Sequence, residues 1–200
     1  MAFSDFKTLS QVQIEYRIQY EEVNFIHSVP NISVEQFLLE LKFNIQMLDA
    51  FSSEASRCEL IILPVLREAY KQFATQLSLW IQKPLQYDSN LTGIPDYLIS
   101  KRSALGKTVL EHPVVAVAEA KKNDFEQGWA QCVAELIAAQ RLNNNAMLPV
   151  YGIVTDGKYW EFGKLMGTVF YKHNVSFVID HAPEVLGAVM YVLEDVRKNL

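Results

Sequence analysis

Residues 113–121 read Pro-Val-Val-Ala-Val-Ala-Glu-Ala-Lys, a short β-branched run with no helix-period stripe, which predicts a buried strand. Residues 94–100 are placed as its hairpin neighbour, and 79–87 as a preceding strand troubled by Pro84. Elsewhere the period changes. Val34, Phe37, Leu38, Leu41, Ile45, Leu48 and Phe51 recur at helical spacing behind Ser33 as N-cap, with Gln36 at the capping-box position. A second helix starts from Ser52-Ser53 and carries Ala55, Cys58, Ile61, Ile62, Val65, Leu66, Ala69, Tyr70 and Phe73, with Pro64 as a kink point. A third, over 124–143, has Ala130, Val133, Ala134, Ile137 and Ala138 as its stripe. Residues 149–162 form two strands about Asp156-Gly157, the best hairpin signal in the chain. A strand over 169–179 and a helix over 183–198 follow. Residues 1–30 fit helix or strand, and the alternation of Tyr16-Arg17-Ile18-Gln19-Tyr20 tips the reading to strand. The order predicts an α/β or α+β domain with a central mixed sheet flanked by helices. Residues 1–51 are read as an annex that packs on the core or mediates dimerisation, and 52–200 as the main body of one globular unit.

Composition narrows the class. A chain of 200 residues, half of them hydrophobic, suits one domain with a sizeable core. A net charge of −5 argues against a broad basic surface, so contact with nucleic acid must rest on local charge. Cys58 and Cys132 lack metal-type spacing, which predicts a reducing compartment and no zinc. With no signal pattern and no apolar run long enough to span a bilayer, a cytoplasmic protein without a membrane partner is expected. The glycosylation-like triplets at Asn31, Asn90 and Asn174 are then chance matches, and the four histidines lack ligand spacing.

Period-2 alternation puts Glu119 and Lys121 on one face at the end of the 113–121 strand, and pairing with 94–100 brings Asp96 beside Glu119. Two carboxylates and an ammonium in a small volume suit phosphodiester hydrolysis assisted by Mg²⁺ or Mn²⁺. Asp96 and Glu119 would be the ligands, Lys121 would orient water or stabilise phosphoryl charge, and the Ala120 carbonyl could complete the shell. Glu54, on the first turn of the second helix, could lean in as a third metal ligand, with Glu59 and Glu68 as competitors. The loop bearing Lys101, Arg102 and Lys107, together with Lys121 and Lys122, could make a basic rim for a phosphate backbone. Its Gly106-Lys107-Thr108 end is not a nucleotide loop, because position 101 is Lys where glycine is needed. Gln127 and Gln131, one helical turn apart, could hold phosphate or metal-bound water.

Pro95-Asp96, 22 residues, then Glu119-Ala120-Lys121 resembles the PD-(D/E)XK nuclease superfamily. Ser53-Glu54-Ala55-Ser56-Arg57 followed by Leu60-Ile61-Ile62-Leu63-Pro64 is similar to the opening helix of the nuclease domain in type I restriction endonuclease motor subunits and related stand-alone proteins. Ala130-Gln131 and the Thr155-Asp156-Gly157 hairpin match the same domain, so the resemblance covers roughly residues 52–165. It implies a restriction-endonuclease-like core and a metal-dependent nuclease acting on DNA. Catalysis would fall to Asp96, Glu119 and Lys121, with Glu54 favoured over Glu59 as a further ligand and Gln131 in support. Motor-linked members carry tyrosine four residues after that glutamine, where this chain has Glu135, and no ATP-binding motif is present; both argue against coupling to translocation. The alternative is a catalytically silent module of the same fold that binds nucleic acid or a protein partner.

Overall fold

The computed structural model describes residues 2–27, 34–121 and 124–200. After a short 3-10 turn (Phe3–Asp5) comes helix α1 (Leu9–Tyr16), and strand β1 (Gln19–Val23) follows. The strand expected around 16–20 is therefore split. Thr8 and Gln11 close a capping box, which stabilises a helix start, and Arg17 turns the chain through a left-handed φ of 58° before β1 begins. Helix α2 (Glu35–Met47) follows the undescribed segment that holds the expected Ser33 cap. Leu48 and Phe51 lie beyond its end.

The second predicted helix is α3 (Glu54–Arg57), a π-helical turn (Cys58–Ile62) and α4 (Leu63–Tyr70) in one run. Ser53 caps it by accepting the Ser56 N–H. Proline has no N–H to give to the carbonyl four residues back. The Leu60 carbonyl, orphaned by Pro64, accepts instead from Asn44 Nδ2 of α2 at 3.0 Å. That bond ties the N-terminal annex to the helix.

Strand β2 (Leu77–Ile81) stops where Gln82 takes a left-handed φ of 46°, so the expected strand over 79–87 breaks before Pro84. Strands β3 (Leu85–Gln86) and β4 (Thr92–Gly93) form a separate two-stranded ribbon. The remaining elements are β5 (Tyr97–Lys101), β6 (Val114–Ala120), α5 (Phe125–Asn143), β7 (Val150–Thr155), β8 (Tyr159–Met166), β9 (Val169–His173), β10 (Phe177–Val178) and α6 (Ala182–Lys198). The strand expected over 169–179 is thus two strands. The main sheet runs β1-β9-β8-β7-β6-β5-β2, and β10 pairs with the start of β8.

The sheet is mixed and flanked by helices, an α+β architecture. Strands β6 and β7 are parallel, joined by α5 as the crossover, and β1 runs parallel to β9. Each residue of β6 is buried, because both faces of the sheet are covered. Ala116, Ala118 and Ala120 face the core shared with α4 and α6, while Val117 faces α5. Residues 128–139 of α5 are all buried, since α1, Phe3 and Phe6 pack on the side turned away from the sheet. Among the described residues no helix is long and apolar enough to cross a membrane.

Candidate active site

The site forms where β5 begins and β6 ends. Tyr97 pairs with Ala118 in the antiparallel ladder, so one step outward Asp96 stands across from Glu119. Oδ2 of Asp96 accepts the Ala120 N–H at 2.8 Å, and the Asp96 carbonyl accepts the Gln82 N–H at 2.9 Å. Both bonds fix Asp96 at the sheet end. Glu119 is 2% exposed, and its Oε1 receives Lys121 Nζ at 2.9 Å and Gln131 Nε2 at 2.6 Å. The expected same-face placement of Glu119 and Lys121 is what this ion pair requires. Glycine at position 128 lets the start of α5 close on the lysine stem: a Cβ there would lie 2.7 Å from Val154 Cγ1 and 3.0 Å from Lys121 Cγ.

Gln131 Nε2 also donates to Glu135 Oε1 at 3.1 Å. Glu135 is fully buried, and its Oε2, like Oε2 of Glu119, has no partner among the described residues. In the sequence, Glu135 stands out only as a departure from a tyrosine. The available signal was spacing: Gln127, Gln131 and Glu135 recur every four residues on a helix that is otherwise largely apolar.

Glu54 is exposed at the head of α3 and lines, with Glu59, Asp96, Cys58, Gln82 and Tyr97, a cleft of about 450 Å³. The charge of Glu54 acts on both Asp96 and Lys121, whereas that of Glu59 acts on Tyr97. Glu68 is taken by Lys71 at 2.5 Å and does not line the cleft. Gln127 is half-buried one turn before Gln131, its backbone N–H held by the Asp124 cap. Lys122 lies outside the described residues.

The basic rim is a correction. Lys101, Arg102 and Lys107 sit at the closed end of the β5–β6 hairpin, where Lys101 N–H meets the Pro113 carbonyl. The seven residues of β6 separate them from Lys121, roughly 23 Å at about 3.3 Å per residue. Arg102 is in addition committed to the fold through the carbonyls of Ala74 and Gln76. In a hairpin, the loop and the strand ends where Asp96 meets Glu119 are necessarily opposite.

Among the described residues, the one ammonium of Lys121 faces several carboxylates here. Burial and then the charge of Asp96 push Glu119 up to about 7, despite Lys121. Burial raises Asp96 as well, with Glu54 adding to it and the Ala120 N–H and Lys121 opposing. Burial, then Glu119, holds Glu135 well above the usual carboxylate range. For Lys121, burial favours the neutral amine, but Glu119, Glu54 and Asp96 outweigh it and the ammonium is held more firmly than in water. The ion pair thus holds the proton on Lys121, but it does not bring Glu119 back down to the ordinary carboxylate range.

Among the described residues no group of three or more His, Cys, Asp or Glu side chains is gathered to hold a metal ion. Mg²⁺ needs fewer, since it is commonly held by one or two carboxylates with water and phosphate oxygens completing the shell. The facing Asp96 and Glu119, the unpartnered Glu119 Oε2 and the excess of carboxylates fit such a cation. No family model and no curated protein matches this chain.

Proposed function

We propose that the protein is a Mg²⁺- or Mn²⁺-dependent nuclease with a restriction-endonuclease-like core, hydrolysing phosphodiester bonds in DNA. The observation that carries this reading is Asp96 set across from Glu119, with Lys121 on the same face and Oε2 of Glu119 unpartnered. Asp96 and Glu119 would hold the cation, with Glu54 reaching in from the cleft wall. A bound divalent cation lowers the pKa of its water and neutralises phosphate charge. Lys121, whose side chain is 19% exposed, would orient water or meet charge developing on phosphoryl oxygens. Gln131 supports Glu119 by donating to its Oε1.

A second reading, a module of this fold that binds without cutting, draws on the cleft, whose lining among the described residues includes Glu54, Glu59 and Asp96 and no basic side chain. One assay separates the two. Purified protein is incubated with supercoiled, linear and single-stranded DNA and with RNA, in Mg²⁺, Mn²⁺ or chelator. Cleavage of DNA that requires metal and is lost in Glu119→Gln supports the nuclease. Binding with no cleavage of any substrate supports the silent module.

A further inference from the structure

The Gln131 amide is held by two carboxylates, not by Glu119 alone. An amide has a donor end and an acceptor end of nearly equal shape, and rotation about its last bond exchanges them. If the acceptor end faced Glu119, oxygen would meet carboxylate oxygen. The donor end faces it, and the same nitrogen reaches a second carboxylate: Nε2 lies 2.6 Å from Glu119 Oε1 and 3.1 Å from Glu135 Oε1. The NH₂ group, with two hydrogens to give, therefore has two acceptors within reach. Two acceptors on one side define the plane of the amide, and one would not.

Glu135 has no other hydrogen bond among the described residues. It is 0% exposed, and its Oε2 is unpartnered. A buried polar side chain with one bond and one orphaned atom is costly, and an apolar residue would fill the same space between Cys132 and Ala139 at less cost. Its one contact is thus where its effect must be sought. Glu119 Oε1 is held by Lys121 and Gln131 together, which leaves Oε2 as the buried oxygen without a side-chain partner among the described residues. Loss of the amide donor would let the carboxylate swing towards Lys121 alone.

We propose that Glu135 is a positioning residue: it sets the donor end of the Gln131 amide towards Glu119, and so fixes which Glu119 oxygen stays free. Its consequence for metal binding rests on the reading of Glu119 as a ligand, but the orienting role does not.

Two measurements on the full chain test this. In chelator, the side-chain NH₂ group of ¹⁵N-labelled Gln131 is followed by NMR in wild type, Glu135→Leu and Glu135→Gln, with Glu135→Ala as a smaller truncation should leucine prevent folding. Wild type is expected to show both amide protons shifted downfield and slow to exchange. Glu135→Leu should lose this for one proton, and Glu135→Gln, which still offers a carbonyl acceptor, should restore it. Mn²⁺ affinity is then measured by electron paramagnetic resonance. Removing a group that orients a metal ligand typically costs 10–100-fold in affinity. That loss is expected in Glu135→Leu, with Glu135→Gln near wild type. Unchanged Gln131 signals in a folded Glu135→Leu or Glu135→Ala protein would overturn the proposal, as would an equal loss in Glu135→Gln. Changed Gln131 signals in a protein that binds no Mn²⁺ even as wild type would refute the metal reading of Glu119 and uphold the orienting role.

Discussion

Removing the Asp96 charge should make the metal-free protein no less stable above pH 7. In the folded protein Glu119 titrates at about 7 against a reference of 4.5, chiefly through burial and then through Asp96. At about 1.36 kcal/mol per pH unit, ionising Glu119 in the folded state costs roughly 3 kcal/mol. The sign follows from a raised carboxyl: the folded state holds the proton longer, so the stability this gives is complete below pH 4.5 and is lost as pH rises through about 7. Asp96→Asn keeps an acceptor for the Ala120 N–H and removes the second-largest cause of the shift. With burial left in place, we assign the substitution a gain of about 1 kcal/mol, a rise in Tm of about 2–4 °C for a domain of this size. Melts in chelator at pH 8 should show that rise, and at pH 4.5 the two proteins should converge. Saturating Mn²⁺ at about 100 times its Kd should stabilise the wild type by roughly 2.7 kcal/mol and the variant far less. A clearly less stable Asp96→Asn protein at pH 8 would mean that Asp96 is a structural partner of Lys121, whose loss strands a buried charge. Equal metal shifts in both proteins would remove Asp96 from the metal site.

Lys121→Ala should reduce cleavage by about 10²–10³ while the fold survives, and undiminished cleavage by the folded variant would remove Lys121 from the mechanism. Gly128→Ala should cost about 1–3 kcal/mol by overpacking against Val154 and Lys121, read by chemical denaturation. Lys101→Ala with Lys107→Ala should leave the salt dependence of DNA binding unchanged, since both lie at the far hairpin end; a log–log slope reduced by about 0.9 per lysine would return the loop to the nucleic-acid path. His173 Nδ1 accepts from Phe25 N–H at 3.2 Å, and burial, then His27, lowers its pKa below 6.5. Its contribution is therefore present above pH 6.5 and lost as pH falls through the folded value, so the stability gap between wild type and His173→Phe should narrow from pH 7.5 to 5 in thermal melts.

The parts of the fold that were legible were those in which one local rule met no rival. The β-branched run of β6, the Asp156-Gly157 turn with φ of 83° at Gly157, and the extent of α5 between the Asp124 cap and Asn144 each had one clear local signal. Adjacency of Glu119 and Lys121 followed from the pleat alone. Asn144, a residue that tolerates a left-handed φ, closes α5 where the sequence predicts, but two other turns are not marked in this way. Arg17 and Gln82 both take left-handed conformations that side chains rarely adopt, and they end α1 and β2 at points the composition does not mark. The basic loop was misplaced for a different reason, since its charges were weighed without asking at which end of the hairpin it must lie. Glu135 is not legible as part of the site because the apolar stripe of Ala130, Val133, Ala134, Ile137 and Ala138 marks one side of α5 only, whereas Gln131 and Glu135 lie on the side that meets Glu119 of β6, where the carboxylate is buried.

The central claim is that Asp96 and Glu119 together hold a divalent cation, and anomalous scattering tests it most directly. In crystals soaked with Mn²⁺ and measured near the manganese absorption edge, the account predicts a peak bounded by Asp96 and Glu119, lost in Asp96→Asn crystals treated alike. Crystals with no peak at that position, or with the same peak in the Asn variant, would contradict it.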